Sequence, residues 1–277
     1  MTASSILISG CSSGIGYACA QGLAARGWRV FASARRAEDV VRLRQVFPDA
    51  LQLDVDDSDS IQRAVTAVLA ATGGTLDALF NNAGYGQLGA AEDVPRHLLR
   101  AQFETNLFGA WELTQAVLPA MRQRGQGRIV FNSSVLGFAP MRWRAAYSAS
   151  KHAMEGMADT LRLELHGSGV AVSLIEPGPI TSRFLANEYP HLKAVIEAGS
   201  SVHQADYVRQ LARVTQQGKS TRFTLPPEAV CDALLRVLDA KHPAARYRVT
   251  VPTHLCWWLK RVLPQRVFDM LLRKLGG

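Results

Sequence analysis

Ser4-Ser5-Ile6-Leu7-Ile8-Ser9-Gly10-Cys11-Ser12-Ser13-Gly14-Ile15-Gly16 decides the architecture of this chain. The run through Ile6, Leu7 and Ile8 is short, apolar and cut off by glycine, the pattern of a buried strand. A helical pattern through Ala18, Leu23 and Ala24 follows, up to Gly27. Strand, glycine-rich turn and helix together begin a dinucleotide-binding unit. Glycine turns tightly and lets a pyrophosphate approach without meeting a β-carbon. The helix N-terminus then offers free N–H groups and a positive dipole end to phosphate. The spacing is G-x-x-x-G-x-G rather than G-x-G-x-x-G. The same residues also fit G-x-S-x-G with Ser12 as a nucleophile, the elbow of an α/β-hydrolase. Such an elbow normally follows several strands of the sheet, whereas this turn follows the first, and Gly16 has no part in it.

Further along, apolar runs near 5–9, 29–34, 50–53, 76–80, 128–132, 170–175 and 247–251 read as strands. Helical patterns lie near 15–26, 37–46, 58–71, 95–123, 146–166 and 227–239. Alternation of the two implies a parallel sheet covered on both faces. With 277 residues and no repeat or linker, a single domain is expected.

Tyr147-Ser148-Ala149-Ser150-Lys151, with Ser134 thirteen residues before the tyrosine, is the candidate reactive set. Residues four apart share a helix face, so Tyr147 and Lys151 project side by side. A free phenol, with a pKa near ~10, is a poor acid or base at neutral pH, and a neighbouring ammonium favours its ionised form. A nearby serine hydroxyl could hold a substrate oxygen in line. This is the chemistry of passing a proton to or from an alcohol or carbonyl. Tyr189 and Lys193 have the same spacing, but Glu176 stands thirteen residues before Tyr189 and Pro190 lies inside the pair, so they read as coincidence.

The motifs together resemble a short-chain dehydrogenase/reductase of the Ser/Tyr/Lys type, strongly over residues 5 to 184. Ser9 to Gly16 is similar to the family's T-G-x-x-x-G-x-G, with serine leading. Leu53-Asp54-Val55, Asn81-Asn82-Ala83-Gly84, Asn106, Ser134, Tyr147, Lys151 and Pro177-Gly178-Pro179-Ile180 follow in the family's order, with Ser182 where it expects threonine. The pattern is nearest the 17β-hydroxysteroid-dehydrogenase-like and retinol-dehydrogenase-like branch. The resemblance implies a Rossmann fold: a doubly wound α/β sheet of seven parallel strands with helices on both faces. It also implies roles. Tyr147 exchanges the proton, Lys151 depresses its pKa and holds the nicotinamide ribose, Ser134 binds the substrate oxygen, and Asn106 holds a water. It places the cofactor against Gly10, Ser12, Ser13, Gly14, Ile15, Gly16, Asp54, Val55, Asn81, Ala83, Gly84, Pro177, Gly178, Ile180 and Ser182. A homodimer or homotetramer is expected through helices 95–123 and 146–166, with Trp111, Met154, Met157 and Leu161 as apolar surface.

Arg35 sets the expected cofactor. NAD enzymes usually carry a carboxylate at the end of the second strand for the ribose hydroxyls. Ala34 holds that position here and Arg35 follows it, so a 2′-phosphate would meet a guanidinium instead of a repelling acid. NADP(H) is therefore expected over NAD(H). Tyr85, Gln87, Ser134, Leu136, Phe138, Met141, Trp143 and Phe184 are the candidate substrate pocket. A lid is expected at about 185–225, with amphipathic helices through Leu192, Val195 and Ile196 and through Val208, Leu211 and Val214. The apolar rim points to a steroid-, retinoid- or long-chain-like alcohol, ketone or aldehyde. An acyl-thioester ketone reductase and a non-catalytic NADP(H)-sensing protein are the alternatives.

Residues 253–277 read as a basic amphipathic extension to a main domain of 1–252. From Lys241 onward there are eight Lys/Arg against the single acid Asp269, which is +7 of the chain's net +8. Leu255, Trp258, Leu259 and Val262, then Val267, Phe268, Leu271, Leu272 and Leu275, recur at helical spacing. The apolar face could pack on the lid, on a second subunit or on an anionic membrane surface. No nucleic-acid module accompanies the charge. Four dispersed cysteines and seven histidines form no metal pattern, so no metal is expected. With no signal peptide read at the start, a cytoplasmic protein is expected, with peripheral membrane contact open.

Overall fold

The computed structural model describes residues 3–181, 193, 197, 201–215 and 222–275. Among them, seven strands form one parallel sheet: β1 (Ser5–Ile8), β2 (Arg29–Ala34), β3 (Leu51–Gln52), β4 (Ala78–Asn81), β5 (Gly127–Asn132), β6 (Val170–Glu176) and β7 (Arg246–Arg248). Their order is β3-β2-β1-β4-β5-β6-β7, and every pairing is parallel. The doubly wound fold expected from the sequence is the one observed. Its order reverses between β1 and β4, and a ligand crevice opens beyond the C-terminal ends of strands at such a switch.

Strand residues alternate between two cores, as a sheet buried on both faces requires. Ile6, Ile8, Ala78, Phe80 and Val130 pack with α1 (Gly14–Ala24), α2 (Ala37–Arg44) and the helix Glu228–Asp239, here α8. Leu7, Leu79, Ile129 and Phe131 face α3 (Ser58–Ala71), α5 (Gly109–Arg124) and α6 (Ala145–Glu164). Most of these side chains are fully buried, each worth roughly 1.5–3 kcal/mol.

Three boundaries differ from expectation. The helix expected over 95–123 is interrupted: α4 (Arg96–Phe103) passes through a π-helical turn, Glu104–Phe108, into α5. The strand expected to reach 251 stops at Arg248. Thr250 is extended (φ −110°, ψ 157°) at the N-cap and Pro252 sits at the start of the next helix, so α9 (Val251–Val262) begins before residue 253. Pro pre-sets helical φ at such a position and lacks the N–H that a ladder would need. α10 (Gln265–Leu275) follows. Within the expected lid, α7 spans Gln204–Thr215. Its buried anchor is Tyr207, whose hydroxyl accepts from Ala90 N at 2.8 Å and donates to Asp93, while Val208 is exposed. Ser182, Phe184, Tyr189, Leu192, Val195 and Ile196, and the side chains of Leu211 and Val214, lie outside the described residues.

Candidate active site

The glycine turn after β1 is closed against the turn after β4. Gly10 has φ +74°, and a Cβ there would stand 2.9 Å from Ala83 Cα. A Cβ on Gly16 would stand 2.3 Å from Gly10 O and 2.6 Å from Asn82 Nδ2. Both positions therefore need glycine. At the α1 N-terminus, Ser13 is extended at the N-cap and its side chain makes no capping bond. Asn82 Nδ2 donates to Ser9 O (2.9 Å) and Gly10 O (3.1 Å), and the Ser9 hydroxyl accepts from Asn82 N and Ala83 N, both at 3.0 Å. Asn132 Nδ2 reaches Asn82 Oδ1 at 2.9 Å and ties β5 into the same turn. Of the residues expected at the cofactor, Gly10, Gly16 and Ala83 thus lie where the turns after β1 and β4 meet, with Ser12, Ser13, Gly14 and Ile15 in the chain between Gly10 and Gly16 and Gly84 following Ala83. A helix N-terminus behind a glycine turn is a place where phosphate can bind.

Asn81 goes elsewhere. Its side chain is buried and donates to Thr114 Oγ1 on α5 at 2.9 Å. The sheet's period of two sends Asn81 and Asn82 to opposite sides, and Asn82 rather than Asn81 joins the glycine turn. The Val55 side chain is likewise buried in the second core, and Asp54 Oδ1 accepts from Asp56 N at 3.1 Å. Arg35 is exposed at the end of β2, and its carbonyl accepts from Gln52 Nε2. Its charge acts on Asp56 and Tyr85: burial pushes both up, Tyr85 to about 12, and Arg35 opposes it. Arg42 Nη2 donates to Ser12 O at 3.0 Å and bridges α2 to the glycine turn.

Tyr147 and Lys151 are buried on α6, one turn apart, with the ammonium 5.8 Å from the phenol ring centroid. Lys151 Nζ donates to Asn132 O at 2.7 Å. Burial pulls its pKa down to about 8, and Glu155, a further turn along, opposes the fall. Asn106 lies in the π-helical turn, a distortion that recurs at functional sites. It is fully buried. Its Oδ1 accepts from Tyr85 N (3.1 Å), and its Nδ2 donates to Tyr85 O (3.0 Å) and Ser150 Oγ (3.2 Å). Ser134 caps the short 3-10 turn Val135–Gly137, its Oγ accepting from Leu136 N at 3.1 Å. Ser133 turns away and donates to Glu155 Oε1 at 2.5 Å, which separates the two neighbouring serines.

The expected pocket residues divide. Tyr85 and Leu136 stay beside Asn106 and Ser134. Gln87 is buried, its backbone N–H bonded to Gln102 Oε1 at 2.6 Å. Trp143 has a left-handed backbone (φ 66°) and packs on His203 and Tyr207 of the α7 region. With Met141 it borders a depression of about 400 Å³ shared with Ala90, Glu92 and Ala145. Phe138 packs with Ala139, Cys256, Leu259, Leu263, Phe268 and Leu272. The C-terminal helices therefore seat on the segment that follows Ser134, and Lys260 Nζ donates to Phe138 O at 2.6 Å. Pro177 O accepts from Val135 N at 2.8 Å, and a Cβ on Gly178 would stand 2.1 Å from Thr250 Oγ1. Ile180 bridges to Leu225.

An ion network that the sequence reading missed lies behind this site. Arg246 joins Glu155 and Asp159 at 3.0 and 2.7 Å. Glu176, fully buried, has Arg246 Nε at 3.1 Å and Arg248 Nε at 3.0 Å, yet its carboxylate is not aligned for a hydrogen bond with either. Burial, with Glu155 adding, pushes Glu176 up to about 7 against the guanidiniums of Arg248, Arg246 and Arg261. Arg248 and Arg261 both stack on the Trp257 ring, 4.0 and 3.7 Å from its centroid. Glu155 was legible as the residue four after Lys151; the arginines come from the far edge of the sheet.

Known proteins resemble this chain in sequence and in fold. The family described as short chain dehydrogenase matches residues 4–193. The uncharacterized oxidoreductase YbbO of Escherichia coli is 42% identical over 269 residues, 97% of this chain and 94% of that protein. Retinol dehydrogenase 8 of Bos taurus is 33% identical, over 88% of this chain and 80% of its own length. A short-chain dehydrogenase structure from Streptomyces avermitilis superposes with a TM-score of 0.78 at 30% identity, covering 99% of this chain and 97% of that one.

Proposed function

This chain belongs to the short-chain dehydrogenase family and is an oxidoreductase, and from that premise we propose that it uses NADP(H) on an apolar alcohol, ketone or aldehyde of steroid-, retinoid- or long-chain-like character. The observation that carries the reading is the buried Lys151 ammonium, fixed on Asn132 O beside the Tyr147 ring. The nicotinamide, when bound, supplies or accepts the hydride. Tyr147 gives its phenolic proton to the substrate oxygen in reduction and recovers it in oxidation. Lys151 holds positive charge next to the phenol and favours its ionised form. The Ser134 hydroxyl holds the substrate oxygen and stabilises the charge that develops on it. Asn106, fixed through Tyr85 and Ser150, keeps the tyrosine helix and the turn after β4 in register.

Arg35 beside Ala34 supports the NADP(H) preference: the position offers a guanidinium and no carboxylate. Leu136 supports an apolar substrate, as does the likeness to a retinol dehydrogenase. A homodimer or homotetramer through α4, α5 and α6 is supported by exposed Phe108, Trp111 and Leu163. Met154 adds no surface there, since it is buried in the second core, and Met157 and Leu161 pack against that core. Buried free thiols fit a reducing, cytoplasmic setting.

The test is turnover of NADPH and NADH against steroid ketones, retinaldehyde, long-chain aldehydes and a 3-oxoacyl thioester. The proposal expects NADPH-dependent turnover of the apolar carbonyls. Turnover of the thioester alone would favour the acyl reductase, and NADPH binding without turnover of any carbonyl would favour a sensing protein.

A further inference from the structure

α9 is two-faced in a way that catalysis does not use. Its inner side carries Thr253, Cys256 and Leu259 against the protein, where Cys256 and Leu259 meet the segment after Ser134. Its outer side carries Val251, Leu255, Trp258 and Val262, spaced by four, three and four residues and therefore in one stripe. These four side chains are 54 to 65% exposed, although α9 lies between a packed strand and a packed helix. Trp258 meets Trp257 in a T-shaped contact at 5.0 Å between ring centroids and stays largely exposed. α10 adds exposed Val267 and Met270 among Arg266, Arg273 and Lys274.

The charge on α9 and α10 is almost all positive, with Asp269 the one acid. Lys241, Lys260, Arg261, Arg266, Arg273 and Lys274 are all exposed. Arg246 and Arg248 are the basic residues of this region that meet acids, and they do so beneath the surface. Asp269, the one acid, accepts from Gln265 at 2.7 Å. Arg266, Arg273 and Lys274 have no acidic partner among the described residues. A second copy of this chain would bring the same positive set against itself, whereas an anionic surface would neutralise it.

We propose that the outer face of α9, with the basic residues of α10, docks on the surface of an anionic lipid bilayer. Among the described residues no helix is long and apolar enough to cross a membrane, so the contact is peripheral. Tryptophan and aliphatic side chains enter the interface while lysine and arginine reach the headgroups. The proposal stands apart from the redox reading, because lipid binding is measured without substrate or turnover.

The full-length protein is sedimented with phosphatidylcholine vesicles, with and without phosphatidylglycerol, at low and high salt. Wild type should bind the anionic vesicles, ignore the neutral ones and release as salt rises. Leu255→Gln/Trp258→Gln/Val262→Gln should lose this binding, and Arg266→Gln/Arg273→Gln/Lys274→Gln should weaken it by about a hundredfold, at about fivefold for each basic residue near the surface. Thermal melting and NADPH binding establish that each variant is folded, and the charge variant alters no packed side chain if the apolar one fails. No wild-type binding to anionic vesicles at low salt overturns the proposal, as does equal binding by both variants. A wild-type dimer that the apolar variant converts to a monomer, without vesicle binding by either, would assign the stripe to a second copy and overturn it equally.

Discussion

Gly16→Ala is expected to damage the cofactor cradle more than its chemistry suggests. In a helix the change alone would favour folding by about 1 kcal/mol. Here the new methyl would stand 2.3 Å from Gly10 O and 2.6 Å from Asn82 Nδ2. Relieving that overlap needs a shift of about 1 Å, at the usual overpacking cost of about 1–3 kcal/mol. Neither neighbour can give freely. Gly10 is closed against Ala83, and Asn82 is held by Ser9, Gly10 and Asn132. Losing one of those hydrogen bonds adds about 1 kcal/mol. The net expectation is a loss of about 1–3 kcal/mol in stability and at least about tenfold weaker NADPH binding, equivalent to about 1.4 kcal/mol. Gly156→Ala on α6 is the control, because nothing lies within 4 Å of its would-be Cβ. It should raise Tm by about 2 °C and leave cofactor binding alone. Thermal melting and cofactor fluorescence titration measure both. A Gly16→Ala protein with wild-type Tm and NADPH affinity within twofold would refute the cradle geometry.

Arg35→Asp should shift preference toward NADH by about 1.5–3 kcal/mol, since it removes a charged hydrogen bond and adds repulsion; affinities for the two cofactors check this, and an unchanged ratio excludes Arg35 as the phosphate reader. Glu176 is raised in the folded protein from near 4.5 to about 7, so its contribution to stability is present at low pH and is lost as pH rises between those values. Glu176→Gln should flatten that part of the denaturation profile, and an unaltered slope would mean the carboxylate is ionised throughout. Phe108→Glu/Trp111→Glu should lower the oligomeric state seen by light scattering, whereas a wild type that is already monomeric at micromolar concentration would remove the proposed α4–α5 interface.

Much of the fold was legible because its demands are local. The turn at Gly10 and Gly16 accepts no β-carbon, and Tyr147 and Lys151 meet through helix spacing alone. What escaped the sequence depends on register and distance. Asn81 and Asn82 are adjacent and chemically identical, and only the strand's alternation sends one to Thr114 and the other to the glycine turn. Glu104-Thr105-Asn106-Leu107-Phe108 looks like ordinary helix, yet it forms the π-helical turn that carries Asn106. Met141 and Trp143 lie between Ser134 and Tyr147 in sequence, but the left-handed backbone at Trp143 turns them toward α7. The partner of the C-terminal helices, the segment after Ser134, is more than a hundred residues away in sequence and leaves no local sign.

The central claim is that Tyr147 exchanges the proton in a carbonyl–alcohol oxidoreductase. Tyr147→Phe removes one oxygen and keeps the ring that lies near Lys151. Turnover of NADPH with the apolar carbonyls that wild type reduces, set beside NADPH affinity, is the direct measurement. The account predicts turnover below about a tenth of wild type, as loss of a general acid worth roughly 10²–10⁴-fold requires, with NADPH affinity nearly unchanged. Residual turnover above about a tenth with intact cofactor binding would contradict it.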